Sequence, residues 1–67
     1  MAVARVTEVT ASSKKGWDDC AKEAVSRAGK TLRGITGLEV VSMKAKVDGG
    51  KIIEYRLTCR ITFILED

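Results

Sequence analysis

The clearest pattern in the chain is a strict alternation of apolar and polar residues near its C-terminus. The apolar positions are Ile53, Tyr55, Leu57, Cys59, Ile61, Phe63 and Leu65. Since successive side chains of a strand point to opposite faces, this spacing predicts a β-strand over residues 53–65 with one buried face. Strands usually run about 5–6 residues. We therefore expect a sheet too long for a single small subunit to cover.

One helix and one earlier strand precede this segment in the predicted order. Val and Thr enrichment predicts a strand over residues 3–10. A helix should follow, with Ser13 as its N-cap and Gly34 as the left-handed residue after its end. Its apolar stripe has a period of 3.6 residues. The stripe consists of Trp17, Cys20, Ala21, Ala24, Ala28 and Leu32.

A second strand is predicted over residues 38–47, but its apolar positions change phase midway. A bulge near Val40 and Val41 would produce this change, and so would burial of both faces. Asp48-Gly49-Gly50 then favours a tight hairpin turn. The predicted fold is α+β in the order β-α-β-β, with a three-stranded antiparallel sheet wrapped on one helix, as a single domain over residues 1–67.

Composition limits how such a small domain is stabilised. A chain of 67 residues is marginal alone. Two cysteines and no histidine argue against a disulfide framework or a structural zinc site. Self-association is the stabilising device that remains.

The charge pattern limits the kinds of partner, and the lengths of the apolar runs limit the cellular compartment. The net charge is +3, but basic and acidic residues are mixed along the chain, which argues against nucleic acid as a partner. In an oligomer the charge multiplies, so weak polyanion binding stays open. No apolar run is long enough to cross a membrane, and residues 1–5 lack the apolar core of a signal peptide. We expect a cytoplasmic protein with reduced thiols.

Residues with catalytic chemistry form no recognisable set. Without histidine, the chain lacks the usual proton-transfer group near neutral pH. Cys20 and Cys59 fall on predicted core faces, which favours buried apolar roles over a redox pair. Asp18 and Asp19 suit the positive end of the helix. We therefore expect that the protein is not an enzyme.

Several local matches, in order along the chain, resemble one known family. They are Val9-Thr10-Ala11-Ser12-Ser13, Ala24-Val25-Ser26-Arg27-Ala28, Lys30-Thr31-Leu32, Leu38-Glu39-Val40, Glu54-Tyr55-Arg56 and Phe63-Ile64-Leu65-Glu66-Asp67. With the β-α-β-β order, they make the whole chain similar to a dodecin. The resemblance implies a hollow homododecamer that binds flavins in pairs and stores or quenches them.

The resemblance also shows where this chain departs from flavin-binding dodecins. Gly37 stands where those members carry a tryptophan that stacks on the flavin ring. Arg56 replaces a glutamine that pairs with the polar ring edge, and arginine offers only donors. Ser42 replaces an acidic residue, Ile64 replaces an arginine, and Lys44 stands where some members have arginine. The resemblance therefore implies a vestigial flavin pocket at Gly37, Ser42, Lys44 and Arg56, which binds riboflavin or FMN weakly or not at all.

A second branch of the family, described as calcium-binding, gives the alternative. It also lacks the stacking tryptophan and has arginine at the glutamine site. Its members can carry a tryptophan early in the helix, where this chain has Trp17. Symmetry could gather carboxylates at an axis, although the residue types and positions favour solvated or ion-paired strand residues over calcium ligands. The candidates are Glu39, Glu54, Glu66 and Asp67. Three functions remain open: a small-ligand storage shell, a calcium-binding shell, or a structural shell without a small ligand.

Overall fold

Three long strands and one helix build the fold. The computed structural model describes residues 3–65. The elements are β1 (Val3–Ser13), α1 (Trp17–Ala28), β2 (Ile35–Asp48) and β3 (Lys51–Leu65). They form one antiparallel sheet in the order β1-β3-β2. The predicted β-α-β-β fold with an antiparallel sheet is confirmed, and every strand is longer than the sequence pattern indicated.

A glycine pair produces the hairpin turn, and a bulge produces the change of phase in β2; the sequence pointed to both features. Gly49 and Gly50 both have positive φ, at 59° and 78°, as a tight two-residue turn requires. The register between β2 and β3 shifts between Val40 and Ser42, so Val41 is the extra residue of a bulge. The bulge restores the phase, and apolar residues on both sides of it then face α1.

One face of β3 forms the core under the helix. Leu57, Cys59 and Ile61 are at most 2% exposed, and Cys20 from α1 is completely buried. Alternation holds in the middle of the strand because α1 packs over β1 and β3 there. The prediction of burial is wrong at the strand ends. Ile53 and Leu65 are 42% and 45% exposed, since the helix is too short to reach them.

The predicted helix ends are also wrong. α1 begins at Trp17 with Gly16 as its N-cap, and Ser13 still belongs to β1. The Ser13 hydroxyl instead donates to Asp19 at 2.6 Å and accepts from the backbone N–H of Lys15 at 2.9 Å, so it fastens the connection between strand and helix.

The C-terminal end of α1 comes one turn early. Gly29 is the C-cap, so this glycine, predicted inside the helix, ends it. Gly34 does have a positive φ, of 73°, but it lies in the connection to β2. Leu32 consequently lies beyond the helix. A glycine costs about 1 kcal/mol in a helix interior relative to alanine, which is consistent with termination at the first one.

The molecule is elongated, and α1 leaves β2 uncovered beyond Leu38, which packs against the core. Its extents are 52 × 19 × 13 Å, and its radius of gyration is 13.8 Å; a compact chain of this length has about 11 Å. On β2, Val40 and Met43 pair in register with the buried Cys59 and Leu57 and yet are 48% and 55% exposed. Within residues 3–65, no helix is long and apolar enough to cross a membrane.

Candidate ligand-binding face

The sheet face opposite α1, here called the outer face, carries the predicted site residues. Paired residues of antiparallel strands share a face, and the buried residues of β3 have odd numbers. The even-numbered residues of β3 therefore define the outer face. All three aromatic residues, Trp17, Tyr55 and Phe63, lie on the side of the sheet that holds the helix.

Two neighbouring rows of outer-face residues form a polar cluster across all three strands, which we call the polar patch. The first row is Ser12, Arg56 and Lys44, in register on β1, β3 and β2. The second row is Thr10, Thr58 and Ser42. The two threonine hydroxyls are 2.9 Å apart and hydrogen-bonded. The patch therefore combines two cationic side chains with four hydroxyl groups.

The charges around the polar patch are only partly balanced. Arg56 Nε donates to Glu54 Oε1 at 2.9 Å, and Arg60 Nε donates to Glu8 at 3.1 Å. The sequence alone favours either a cross-strand carboxylate partner or a ligand contact for Arg56. Its carboxylate partner in the structure lies two residues away on the same strand, so the cross-strand pair is wrong. Both pairs are solvent-exposed, and such pairs are weak. Within residues 3–65, Lys44 forms no ion pair, which leaves its charge for a ligand or a neighbouring subunit.

Gly37 lies on the outer face but far from the polar patch. It pairs with Thr62, six residues along β3 from Arg56. At about 3.3 Å per residue, the two positions are about 20 Å apart. The structure thus brings Ser42, Lys44 and Arg56 together within one subunit and separates Gly37 from them. A Cβ atom built at Gly37 meets nothing within 4 Å, so the position is open to a side chain.

Trp17 supports the polar patch from the opposite side of the sheet. Its indole Nε1 donates to the carbonyl oxygen of Lys44 at 3.0 Å. Its ring packs edge-on against Tyr55, the neighbour of Arg56, with 4.9 Å between centroids. Trp17 and Tyr55 are only half-buried, not core residues as predicted. The hydrogen bond to Lys44 had no signal in the sequence, because a helix position gives no register against a strand.

The two cysteines are structural thiols. Both are completely buried and unpaired. Burial raises the pKa of the Cys59 thiol, and it raises the pKa of Cys20 together with the nearby charge of Asp19. A raised pKa keeps a thiol protonated and poorly nucleophilic. The prediction of small buried apolar roles is confirmed.

Metal-binding side chains do not cluster in the part of the chain that the structure describes. Residues 3–65 hold no group of three or more carboxylate or cysteine side chains close enough to share an ion. Glu39 is exposed and lies 4.0 Å from Arg60, and Glu54 pairs with Arg56. Glu66 and Asp67 lie outside the described residues. Among the described candidates, Glu39 and Glu54 therefore form no calcium site by themselves within one subunit.

Comparisons with known structures agree closely with this fold. The dodecin from Streptomyces coelicolor is 32% identical, with a TM-score of 0.91 over 98% of this chain and 94% of that one. A T. thermophilus dodecin variant is 27% identical, with a TM-score of 0.94 over the full length of both chains. The calcium-chelating calcium dodecin from Mycobacterium tuberculosis is 31% identical, with a TM-score of 0.81 over 96% and 91%. No curated protein matches the chain.

The fold and the outer face together define a class of small β-α-β-β subunits in which a long antiparallel sheet wraps a single helix. Within that class, the family model described as Dodecin matches residues 3–66. The chain belongs to the dodecin family.

Proposed function

We propose that the protein is a non-catalytic, small-ligand-binding storage shell of the dodecin type, with weak or no binding of riboflavin and FMN. The single domain over residues 1–67 would assemble as a homododecamer in the cytoplasm. The observation that carries the proposal is the composition of the outer face. It offers cations and hydroxyl groups at Ser42, Lys44 and Arg56, and open space at Gly37.

Weak flavin binding follows from the missing aromatic platform. All three aromatic rings of the chain lie on the helix side of the sheet, so none can stack on a ring bound at Gly37 of the same subunit. Aromatic stacking contributes about 0.5–1.5 kcal/mol per pair beyond buried area. Arg56 adds a second loss, because it cannot accept a hydrogen bond. The patch instead suits a ligand that carries negative charge, with Lys44 and Arg56 as donors.

Assembly follows from the uncovered apolar side chains. Val40 and Met43 on β2 are about half exposed although they face the helix side. A subunit of this size gains much of its stability by covering such surface with further copies. The distance of about 20 Å between Gly37 and Arg56 is consistent with a pocket shared between copies, because a single fused-ring system cannot touch both in one subunit.

A fluorescence titration with riboflavin tests the flavin proposal. We expect little quenching at micromolar protein, and restored tight binding in the double variant Gly37→Trp/Arg56→Gln. The matched control is Gly37→Trp/Arg60→Gln, which makes the same chemical changes but alters an arginine two rows further along the face, outside the polar patch. Nanomolar quenching by the unaltered protein would show the proposal wrong, as would equal rescue in both double variants.

Calcium storage is the second candidate, and the 31% identity to a calcium-chelating dodecin favours it. The exposed Glu39 is the described carboxylate best placed for a shared site, since its ion pair with Arg60 is long at 4.0 Å. Calorimetry on metal-stripped protein should then show saturable calcium binding that Glu39→Gln weakens and Asp18→Asn does not. Without any heat from calcium or flavin, the structural shell without a small ligand remains.

A further inference from the structure

An apolar groove with an acidic rim lies between α1 and the free edge strand β1. We call it the α1–β1 groove; its volume is about 500 Å³. Its walls are formed mainly by Val9, Ala11, Ala24 and Ala28, and Asp19, Glu23 and Arg27 lie on its helix side. Most of the wall residues are small, so the groove has room for side chains from outside.

The far end of the β2–β3 hairpin, residues 46–53, has the complementary character. Three of its aliphatic side chains are strongly exposed: Val47 at 61%, Ile52 at 47% and Ile53 at 42%. Lys46 and Lys51 flank them. This hairpin end is therefore an apolar tip with basic residues on both sides.

The hairpin end cannot reach the groove of its own subunit. β3 is continuous from Lys51 to Leu65, and the groove residues of β1 pair with β3 from residue 56 onward. Five residues of extended strand hold Lys51 about 17 Å beyond that point. The tip therefore projects from the end of a subunit that is 52 Å long.

We propose that the hairpin end of one subunit docks into the α1–β1 groove of a second copy of this chain. Val47 and Ile52 would fill the apolar floor, and Lys51 would lie against Glu23. Charge complementarity favours this occupant. Arg27 pairs with Glu23 at 2.7 Å, so the groove keeps one net negative charge, whereas the tip carries two lysines with one aspartate and is net positive. Such a contact is heterologous, so successive copies can close into a shell. The inference rests on the proposed self-assembly and names the contact that drives it.

A charge-swap experiment on the full chain tests the contact by native mass spectrometry. Lys51→Glu and Glu23→Lys should each raise the concentration needed for half-assembly by about tenfold or more, since like charges then face each other. The double variant should restore assembly. Lys30→Glu and Asp18→Lys are matched controls, because they make the same charge changes at exposed positions outside the groove and the tip, and they should assemble normally.

Each result of the swap decides between defined alternatives. An unaltered protein that is monomeric overturns the proposed shell itself. If the unaltered protein assembles but the single reversals have no effect, or if the double variant fails to recover while circular dichroism shows it folded, the docking contact is wrong and the shell stands. Disruption by the control variants would likewise overturn the specific pairing.

Disulfide trapping gives a second test that does not depend on charge. Ile52→Cys and Ala28→Cys in one chain should form inter-subunit disulfides on mild oxidation, visible as ladders on non-reducing gels. Each single substitution should give none, because the native Cys20 and Cys59 are completely buried. A folded, assembled double variant without cross-links would overturn the contact.

Discussion

At the scale of single residues, burial controls the protonation of the two thiols, Cys20 and Cys59. Cys20 and Cys59 are fully covered by the sheet and the helix, and neither is close enough to a cation to stabilise a thiolate. Alternation in β3 and helical periodicity in α1 placed both in the core before any coordinates. Their raised pKa values required the structure, because a pKa depends on neighbours that come from distant parts of the chain.

Alkaline pH should therefore destabilise the protein through these thiols. Above pH 9, the ordinary thiol pKa, the unfolded chain releases thiol protons that the folded chain still holds, so the free energy of unfolding falls as pH rises. Each thiol contributes at most about 1.4 kcal/mol per pH unit. Urea unfolding between pH 7 and pH 10.5 should show a steeper loss for the unaltered protein than for Cys20→Ala/Cys59→Ala. Equal slopes would contradict the assignment.

Two variants of Trp17 measure separately how much its ring packing and its hydrogen bond contribute to stability. Trp17→Phe keeps an edge contact with Tyr55 but loses the donor to the Lys44 carbonyl, which should cost about 0.5–1 kcal/mol. Trp17→Ala loses the ring as well and should cost at least twice as much. Urea midpoints for the two variants measure the difference. Equal losses would mean that the ring contact contributes nothing.

At the scale of elements, the sequence predicted what alternation and turn chemistry control. Apolar spacing predicted the three strands and the helix, and the glycine pair predicted the hairpin. The bulge at Val41 was one of two explanations that the spacing left open, and the register decides for it. The prediction failed at the two ends of α1, where tertiary contacts determine the helix boundaries. Ser13 had all the properties of an N-cap, but pairing of β1 with β3 extends through Ser13 and delays the helix to Trp17.

The connection from α1 to β2 contains a glycine that the fold requires. Gly34 has a φ of 73°, its carbonyl accepts from Ile64 N–H at 2.9 Å, and a Cβ atom there would lie 3.2 Å from the Ile64 carbonyl oxygen. Gly34→Ala should therefore destabilise the protein by more than about 1 kcal/mol. Gly37→Ala is the matched control in the adjoining strand, because its Cβ meets nothing, and it should be neutral or slightly stabilising. Chemical denaturation compares them, and equal effects would show that the backbone at Gly34 is not constrained.

At the scale of the whole molecule, the sheet is longer than α1 can cover. This mismatch was evident in the sequence from the length of the last strand. The identity of the uncovered strand was not, because it depends on the sheet order β1-β3-β2 and on the placement of α1 over β1 and β3. The resemblance to flavin-binding dodecins implied one pocket with both Gly37 and Arg56, and the register places these two residues apart within a single subunit.

The thermal stability of the protein should consequently depend on its concentration. If copies cover Val40 and Met43, assembly stabilises the folded subunit by mass action, and Tm rises with protein concentration over about a hundredfold range.

Met43→Lys places a charge in this uncovered apolar surface, so it should abolish assembly and lower Tm, because a buried unpaired charge is costly. Lys30→Glu, on an exposed turn, should change neither. Differential scanning calorimetry with sedimentation at each concentration measures both effects. If the unaltered protein is monomeric, and if its Tm does not change with concentration and equals that of Met43→Lys, then one subunit is stable with its sheet exposed. Both the shell and any pocket shared between copies would then have to be abandoned.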